Sequence, residues 1–228
     1  MVVRTENREL MKKVTLYVAA SLDGFIARPD GAIDWLPVPG AGADSEDYGY
    51  AAFMETVDTL LMGRKTYEQV LTLGPWSYGE RRCLVFSGKR AGQRDAHAEF
   101  VDCDIAACVR ELKEGPAGTG AELGTEMKMS HGVIWLVGGA EIVAACLAGG
   151  VVDEIILTTV PVLLGEGIRL FPETTWTTRL RTGEVRAFAD GLVQQTFSVV
   201  EERVGEESET DTECTEFGRE LEEGLKRA

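Results

Sequence analysis

Three short stretches of this 228-residue chain carry residue types that can hold an anion. In the first, Val57-Asp-Thr-Leu-Leu-Met62 is an apolar run with the length of a buried strand. Gly63 breaks it, and Arg64, Lys65 and Thr66 open a helix. A helix start presents N–H groups without intrahelical partners and the positive end of the dipole, which suits a phosphate. Arg64 and Lys65 add charge there and Thr66 a hydroxyl. An ordinary strand-to-helix turn with two solvated cations has the same pattern. The second stretch repeats the arrangement: strand-like Val133-Ile-Trp-Leu-Val137, then Gly138-Gly139, then helix-forming Ala140-Glu-Ile-Val-Ala-Ala-Cys-Leu147. Glycines between strand and helix allow a ligand close to the backbone, although a tight turn also explains them. Two such junctions in one chain point to one dinucleotide held at two places. In the third stretch, Arg82-Cys-Leu-Val-Phe86 reads as a strand ending in Ser87-Gly-Lys-Arg90. By itself this is better read as a solvated hairpin than as a phosphate contact.

The elements that must position these residues follow in chain order. Residues 1–12 form an extension, and Lys13–Ala20 is the first core strand. Arg28-Pro-Asp-Gly31 is a turn and Pro37–Gly42 a loop, of a length that commonly covers a site. Ser45 is the expected N-cap of a helix running to Thr56, with Asp47 in its first turn. Glu99–Val101 is a short strand, Asp104 caps a helix to Lys113, and glycine-rich 115–131 is a crossover loop. Val152–Pro161 is a strand and Leu164–Gly167 a turn. Glu184–Ala189 and Leu192–Glu202 form a closing hairpin around Asp190-Gly191. Alternating strands and helices followed by antiparallel strands predict one α/β domain over 13–202, with a mixed sheet. An acidic tail follows over 203–228.

Composition narrows the function classes. Net charge is −15, and residues 201–228 hold eleven acids against four bases. This argues against general nucleic-acid binding but not against a small basic pocket. No run of 18 apolar residues is present, so no membrane helix is expected. The charged N-terminus lacks an apolar signal core, and a cytoplasmic protein is expected. The five cysteines (Cys83, Cys103, Cys108, Cys146, Cys214) form no CxxC pair. His97 and His131 are far apart, so no zinc spacing exists and no metal is expected.

Five motifs in order carry a family resemblance. They are Val18-Ala-Ala-Ser-Leu-Asp-Gly-Phe-Ile-Ala27, Leu61-Met-Gly-Arg-Lys-Thr-Tyr67, Phe86-Ser87, Val137-Gly-Gly-Ala-Glu-Ile142 and Pro161-Val-Leu-Leu-Gly165. Over residues 13–202 the chain resembles the dihydrofolate reductase superfamily, in the branch similar to the reductase domain of bacterial riboflavin biosynthesis. The resemblance implies a three-layer α/β fold and a reductase that uses NADPH. Ala19 and Ile26 would then flank the nicotinamide. Gly63, Arg64, Lys65 and Thr66 would hold the pyrophosphate and adenosine side, with Ser87, Lys89 and Arg90 near the adenosine ribose. Val137, Gly138, Gly139, Ala140, Glu141 and Ile142 would cover the pyrophosphate through the backbone. A 2′-phosphate could be neutralised by Arg64 or Arg90, so NADPH is expected over NADH.

For catalysis, Asp47 falls where dihydrofolate reductases carry their acid, and Trp35 resembles the tryptophan of the neighbouring loop. Thr158 matches a threonine that hydrogen-bonds beside that acid. Arg81 falls near an arginine that binds the substrate tail, and Asp23 is a further substrate-contact candidate. A helix-start acid explains Asp47 slightly better, an Asp-Gly turn explains Asp23 at least as well, and packing also explains Trp35 and Thr158. The chain also departs from riboflavin-pathway reductases. They usually carry a lysine where Phe25 stands and a glutamate where Val137 stands, and the deaminase half is absent. The expected activity is hydride transfer to a small pteridine- or pyrimidine-like heterocycle by a homodimer. A nucleotide-binding protein without turnover and a divergent dihydrofolate reductase are the alternatives.

Overall fold

The structure, a computed structural model, describes residues 11–37, 47–114 and 132–200. The first part of the N-terminal extension, Ser45 and its loop, the 115–131 segment and the acidic tail lie outside the described residues. The elements in order are β1 (Val14–Ser21), β2 (Phe25–Ala27), α1 (Tyr50–Thr56), β3 (Val57–Gly63) and α2 (Arg64–Thr72). Next come β4 (Arg82–Phe86), β5 (Glu99–Val101), α3 (Ile105–Glu114), β6 (Val133–Gly138) and α4 (Ala140–Ala148). The chain closes with β7 (Glu154–Val160), β8 (Ile168–Arg169), β9 (Arg179–Ala187) and β10 (Val193–Val200).

Eight strands form one sheet in the order β5-β4-β3-β6-β1-β7-β10-β9. The six from β5 to β7 run parallel, whereas β10 and β9 are antiparallel additions. Central parallel strands are covered on both faces and therefore read as apolar runs. Their alternating side chains divide into two cores. Leu61, Leu84, Ile134 and Leu136 pack on one face with Val109 of α3 and Val143 and Cys146 of α4. Leu60, Met62, Val85 and Trp135 pack on the other with Met54 of α1 and Tyr67 of α2. The result is the three-layer α/β architecture with a mostly parallel mixed sheet that the sequence predicts.

Three boundaries differ from the sequence reading. Helix α1 starts at Tyr50, not Ser45, because Tyr48 and Gly49 both have positive φ (56° and 80°), which the helix cannot contain. Asp47 caps this turn: its carboxylate accepts the N–H groups of Gly49 (2.9 Å) and Ala51 (3.1 Å). Strand β9 begins at Arg179, five residues before the expected Glu184, pairing Arg179 with Val200. Its residues are all exposed, so burial leaves no alternation to read. The Leu164–Gly167 turn delivers β8 to a small antiparallel pairing with β2, a long-range contact that local periodicity does not encode.

Candidate active site

Strands β3 and β6 are hydrogen-bonded neighbours, so both strand–glycine–helix junctions open on one end of the sheet. This is the carboxyl edge, where open α/β sheets place ligands. Gly63 caps α2 and Gly139 caps α4, and neither helix receives a side-chain cap. The two starts touch: a Cβ on Gly63 would stand 3.3 Å from Ile142, and one on Gly139 would stand 3.3 Å from the Thr66 hydroxyl. Gly138 has φ 123°, a conformation that favours glycine. Two uncapped N-termini therefore converge on one spot with no side chain on the intervening glycines. Ala140 is half-buried, Glu141 exposed and Ile142 buried in the α4 core; Val137 packs against the opposite core.

The positive charges are placed less simply. Arg64 donates to both carboxylate oxygens of Glu68, at 2.7 and 2.6 Å, within its own helix. Arg90 lies 3.5 Å over the Phe100 ring and pairs with Asp95 at 3.2 Å. Lys65 and Lys89 are exposed and make no ion pair among the described residues. At the end of β4 the Ser87 hydroxyl is buried without a partner. Tyr67 of α2 donates to Asp95 (2.7 Å), which fastens α2 to the β4–β5 loop.

On the other side of the glycines the register builds a polar row. Ala19 of β1 pairs with Thr158 of β7, which pairs with Gln194 of β10, so the three share one sheet face. The Gln194 amide is within hydrogen-bond distance of the Thr158 hydroxyl (3.1 Å), the Tyr17 hydroxyl (3.2 Å) and the Tyr48 carbonyl (3.1 Å). Tyr17 donates to that same carbonyl at 3.0 Å. The Tyr17 ring stacks on Phe53 of α1 at 4.5 Å and meets Trp135 edge-on. Burial, above all, pushes the Tyr17 hydroxyl up from its ordinary value; the Gln194 hydrogen bond opposes this and the nearby Asp47 charge adds to it. The structure thus places Ala19 beside Thr158, and it leaves Asp47 exposed with its charge felt at Tyr17. Tyr17, Tyr48 and Gln194 complete the row and escape the sequence reading; a glutamine facing the core of a strand was the signal available.

Several expected residues have other partners. The Asp47 carboxyl is held below the usual range by the Gly49 and Ala51 N–H groups. Asp23 accepts from the Ser21 hydroxyl (2.6 Å) and from the backbone of Leu164 (3.1 Å) and Gly165 (2.7 Å), which holds its pKa down at about 2. It thereby ties the β1–β2 turn to the β7–β8 connection. Arg81 is spent on three backbone carbonyls, those of Val57 (2.9 Å), Tyr78 (2.9 Å) and Met54 (2.6 Å). Its guanidinium closes the end of α1, so the structure gives it a fold role in place of the expected substrate contact. Ile26 packs on the α4-side core, and the Trp35 indole N–H is buried without a partner. Gln69 of α2 holds the Trp35 loop through the Gly31 carbonyl at 2.7 Å. A cleft of ≈ 510 Å³, lined by Trp76, Arg81, Arg82 and His97 among others, lies at the opposite, amino edge of β4 and touches none of the glycine junctions. Among the described residues no cluster of metal-ligating side chains occurs, and no helix is long and apolar enough to cross a membrane.

Known proteins resemble this chain in sequence and fold. Residues 122–194 match the model of the RibD C-terminal domain family. YwjB of Bacillus subtilis (strain 168) is 39% identical over 183 residues, covering 79% of this chain and 95% of YwjB. A Shewanella sp. PV-4 structure, described as a candidate riboflavin biosynthesis protein, superposes with TM-score 0.67 at 25% identity, over 83% of this chain and 99% of that one. Dihydrofolate reductase from Enterococcus faecalis complexed with NADP(H) superposes with TM-score 0.55 at 15% identity, over 83% and 97% of the two chains, and shows the shared fold. The chain belongs to the family of YwjB.

Proposed function

We propose that this chain is a reductase that uses NADPH to reduce a small pteridine- or pyrimidine-like heterocycle. The observation that carries the reading is the meeting of two helix N-termini, uncapped by side chains, at Gly63 and Gly139. That pair supplies backbone N–H groups and two aligned dipole ends to a pyrophosphate. The buried, unpartnered Ser87 hydroxyl supports the fit, because a ribose hydroxyl would satisfy it. Lys65 and Lys89 are the cations left for phosphate.

When bound, the reduced nicotinamide supplies the hydride. The chain's own part is to bind, orient and exclude water. Ala19, with no bulk beyond Cβ, leaves room for a ring beside Thr158. The Tyr17–Phe53–Trp135 cluster closes the apolar wall behind them. Asp47 is ionised at neutral pH, since its carboxyl is held below the usual range. It therefore favours a substrate protonated at a ring nitrogen, which accepts hydride more readily than the neutral ring. Trp35 offers an indole N–H with no protein acceptor.

The reading includes a cytoplasmic homodimer that pairs through β9, a nine-residue, fully exposed strand at the sheet edge. Calorimetric titration with NADPH and with NADH tests the cofactor assignment. Tight NADPH binding followed by cofactor oxidation in a heterocycle screen is the expected result. Binding without turnover on any heterocycle would favour a nucleotide-binding protein, and dihydrofolate turnover a divergent dihydrofolate reductase. Failure to bind either nucleotide would remove the reading.

A further inference from the structure

The two flanks of the glycine junctions differ in character. Toward β1 and β7 lies the enclosed row of Ala19, Thr158 and Gln194. Toward β4 and β5 the surface is open, and a dinucleotide held at Gly63 and Gly139 would extend its adenosine end that way. Three observations bear on what that end meets. Ser87, at the end of β4, has its buried hydroxyl unpartnered. The residue after it, Gly88, lacks a Cβ where one would stand 3.3 Å from a carboxylate oxygen of Asp102. Asp102 itself directly follows β5, is exposed, and has no hydrogen-bond or ion-pair partner among the described residues. Meanwhile both arginines expected to meet a 2′-phosphate are engaged internally, Arg64 by Glu68 and Arg90 by Asp95 and Phe100.

An unpaired carboxylate at the end of a neighbouring strand accepts a ribose hydroxyl and repels a phosphate in its place. We propose that Asp102 is the cofactor-selectivity residue of this site: it opposes the 2′-phosphate that Lys89 attracts and so keeps the preference for NADPH over NADH small. The proposal rests on the nicotinamide-binding reading above. Asp102 acts on binding, not on the reacting atoms, so its test is a binding measurement.

Calorimetry with NADPH, NADH and the fragment adenosine 2′,5′-bisphosphate is run on the full chain and on Asp102→Asn. The exposed, unpartnered side chain makes the substitution compatible with folding, which a thermal melt verifies. Expected is an NADPH and bisphosphate affinity about tenfold higher in Asp102→Asn, because a like charge near a dianion is removed. NADH affinity is expected to hold or weaken by about twofold as a hydroxyl acceptor is blunted. Raising the salt concentration should shrink the NADPH gain, as it does for exposed charges. Asp102→Glu should keep the wild-type ratio. A wild type that binds both nucleotides but an Asp102→Asn ratio equal to wild type overturns the role of Asp102 and leaves the reductase reading standing. Equal gains for NADPH and NADH overturn it as well. A wild type that binds neither nucleotide overturns both.

Discussion

The two ends of the central sheet are built on opposite principles. At the amino edge, charge pairs stitch separate elements together. Lys12 pairs with Asp58 at 2.6 Å, Lys13 with Glu154, and Lys113 of α3 with Asp153 at 2.7 Å. Asp153 also accepts the Val14 N–H at 2.8 Å, so one carboxylate holds the start of β1, the approach to β7 and the end of α3. At the carboxyl edge the described ion pairs stay within one helix, loop or strand: Arg64–Glu68, Arg90–Asp95, Arg28–Asp34 and Arg186–Glu184. Glycines, uncapped helix starts and an orphan hydroxyl occupy the space between strands there. The lesson is a division of labour. Ion pairs between separate elements gather at one edge, and bare glycines and uncapped helix starts gather at the other.

The largest expected effect strikes the amino edge. Asp153→Ala removes the partner of a mostly buried lysine and the acceptor of a buried N–H. Breaking a largely buried pair on one side costs about 3 kcal/mol, the lower end of the usual range because Lys113 and Asp153 keep some water contact. Chemical denaturation should show that loss while nucleotide affinity, corrected for the unfolded fraction, stays at the wild-type value. A selective loss of affinity would erase the distinction between the edges.

Gly63→Ala is the converse. Gly63 has φ −77° and ψ 156°, which alanine adopts without strain. The new methyl would sit 3.3 Å from Ile142, a contact that a small side-chain shift relieves, but between the two helix starts. Nucleotide affinity should fall about tenfold with stability changed by less than about 1 kcal/mol. Calorimetry and denaturation on the same sample separate the two. Tyr67→Phe should be smaller again. It deletes the bond from α2 to Asp95 and should cost about 1 kcal/mol of stability, since Asp95 keeps the His97 and Ala98 N–H groups. A larger loss of nucleotide affinity than of stability would show that the bond positions the two halves of the site.

The sequence made the carboxyl edge legible where chemistry is local. Gly63 with Arg64 and Gly138 with Gly139 announce themselves because a strand, a glycine and a helix are adjacent in the chain. The β3–α2 and β6–α4 boundaries are legible for the same reason, since buried parallel strands are apolar runs between breakers. What escaped depends on register. Gln194 meets Thr158 and Tyr17 only because β10 pairs antiparallel with β7, which itself pairs with β1. No local pattern links positions 17, 158 and 194. Charges misled differently. Arg64, Arg90 and Arg81 look free in sequence, yet Glu68, Asp95 and the α1 carbonyls engage them. Asp47 combines local and non-local effects: the sequence places it in the first turn of a helix capped by Ser45, whereas in the structure it precedes the helix and itself accepts the Gly49 and Ala51 N–H groups.

The smallest effect tests one exception to the division between edges. Asp23 is a satisfied carboxylate at the carboxyl edge, bonded to Ser21, Leu164 and Gly165. Its folded pKa is about 2, against an ordinary 3.8, with the Ser21 hydrogen bond as the leading cause. A depressed folded pKa means that the unfolded chain binds the proton more readily. The contribution of Asp23 to stability is therefore complete above about pH 4 and is lost as pH falls from 3.8 toward 2. Asp23→Asn removes this titration. Between pH 4 and pH 2 the wild type should lose more stability than the variant, and above pH 5 the gap between them should be constant. Parallel curves through the acid range would mean that the Asp23 carboxylate adds nothing to stability and that the β1–β2 turn is held by its backbone and by the Ser21 hydroxyl, which accepts the Phe25 N–H at 2.9 Å.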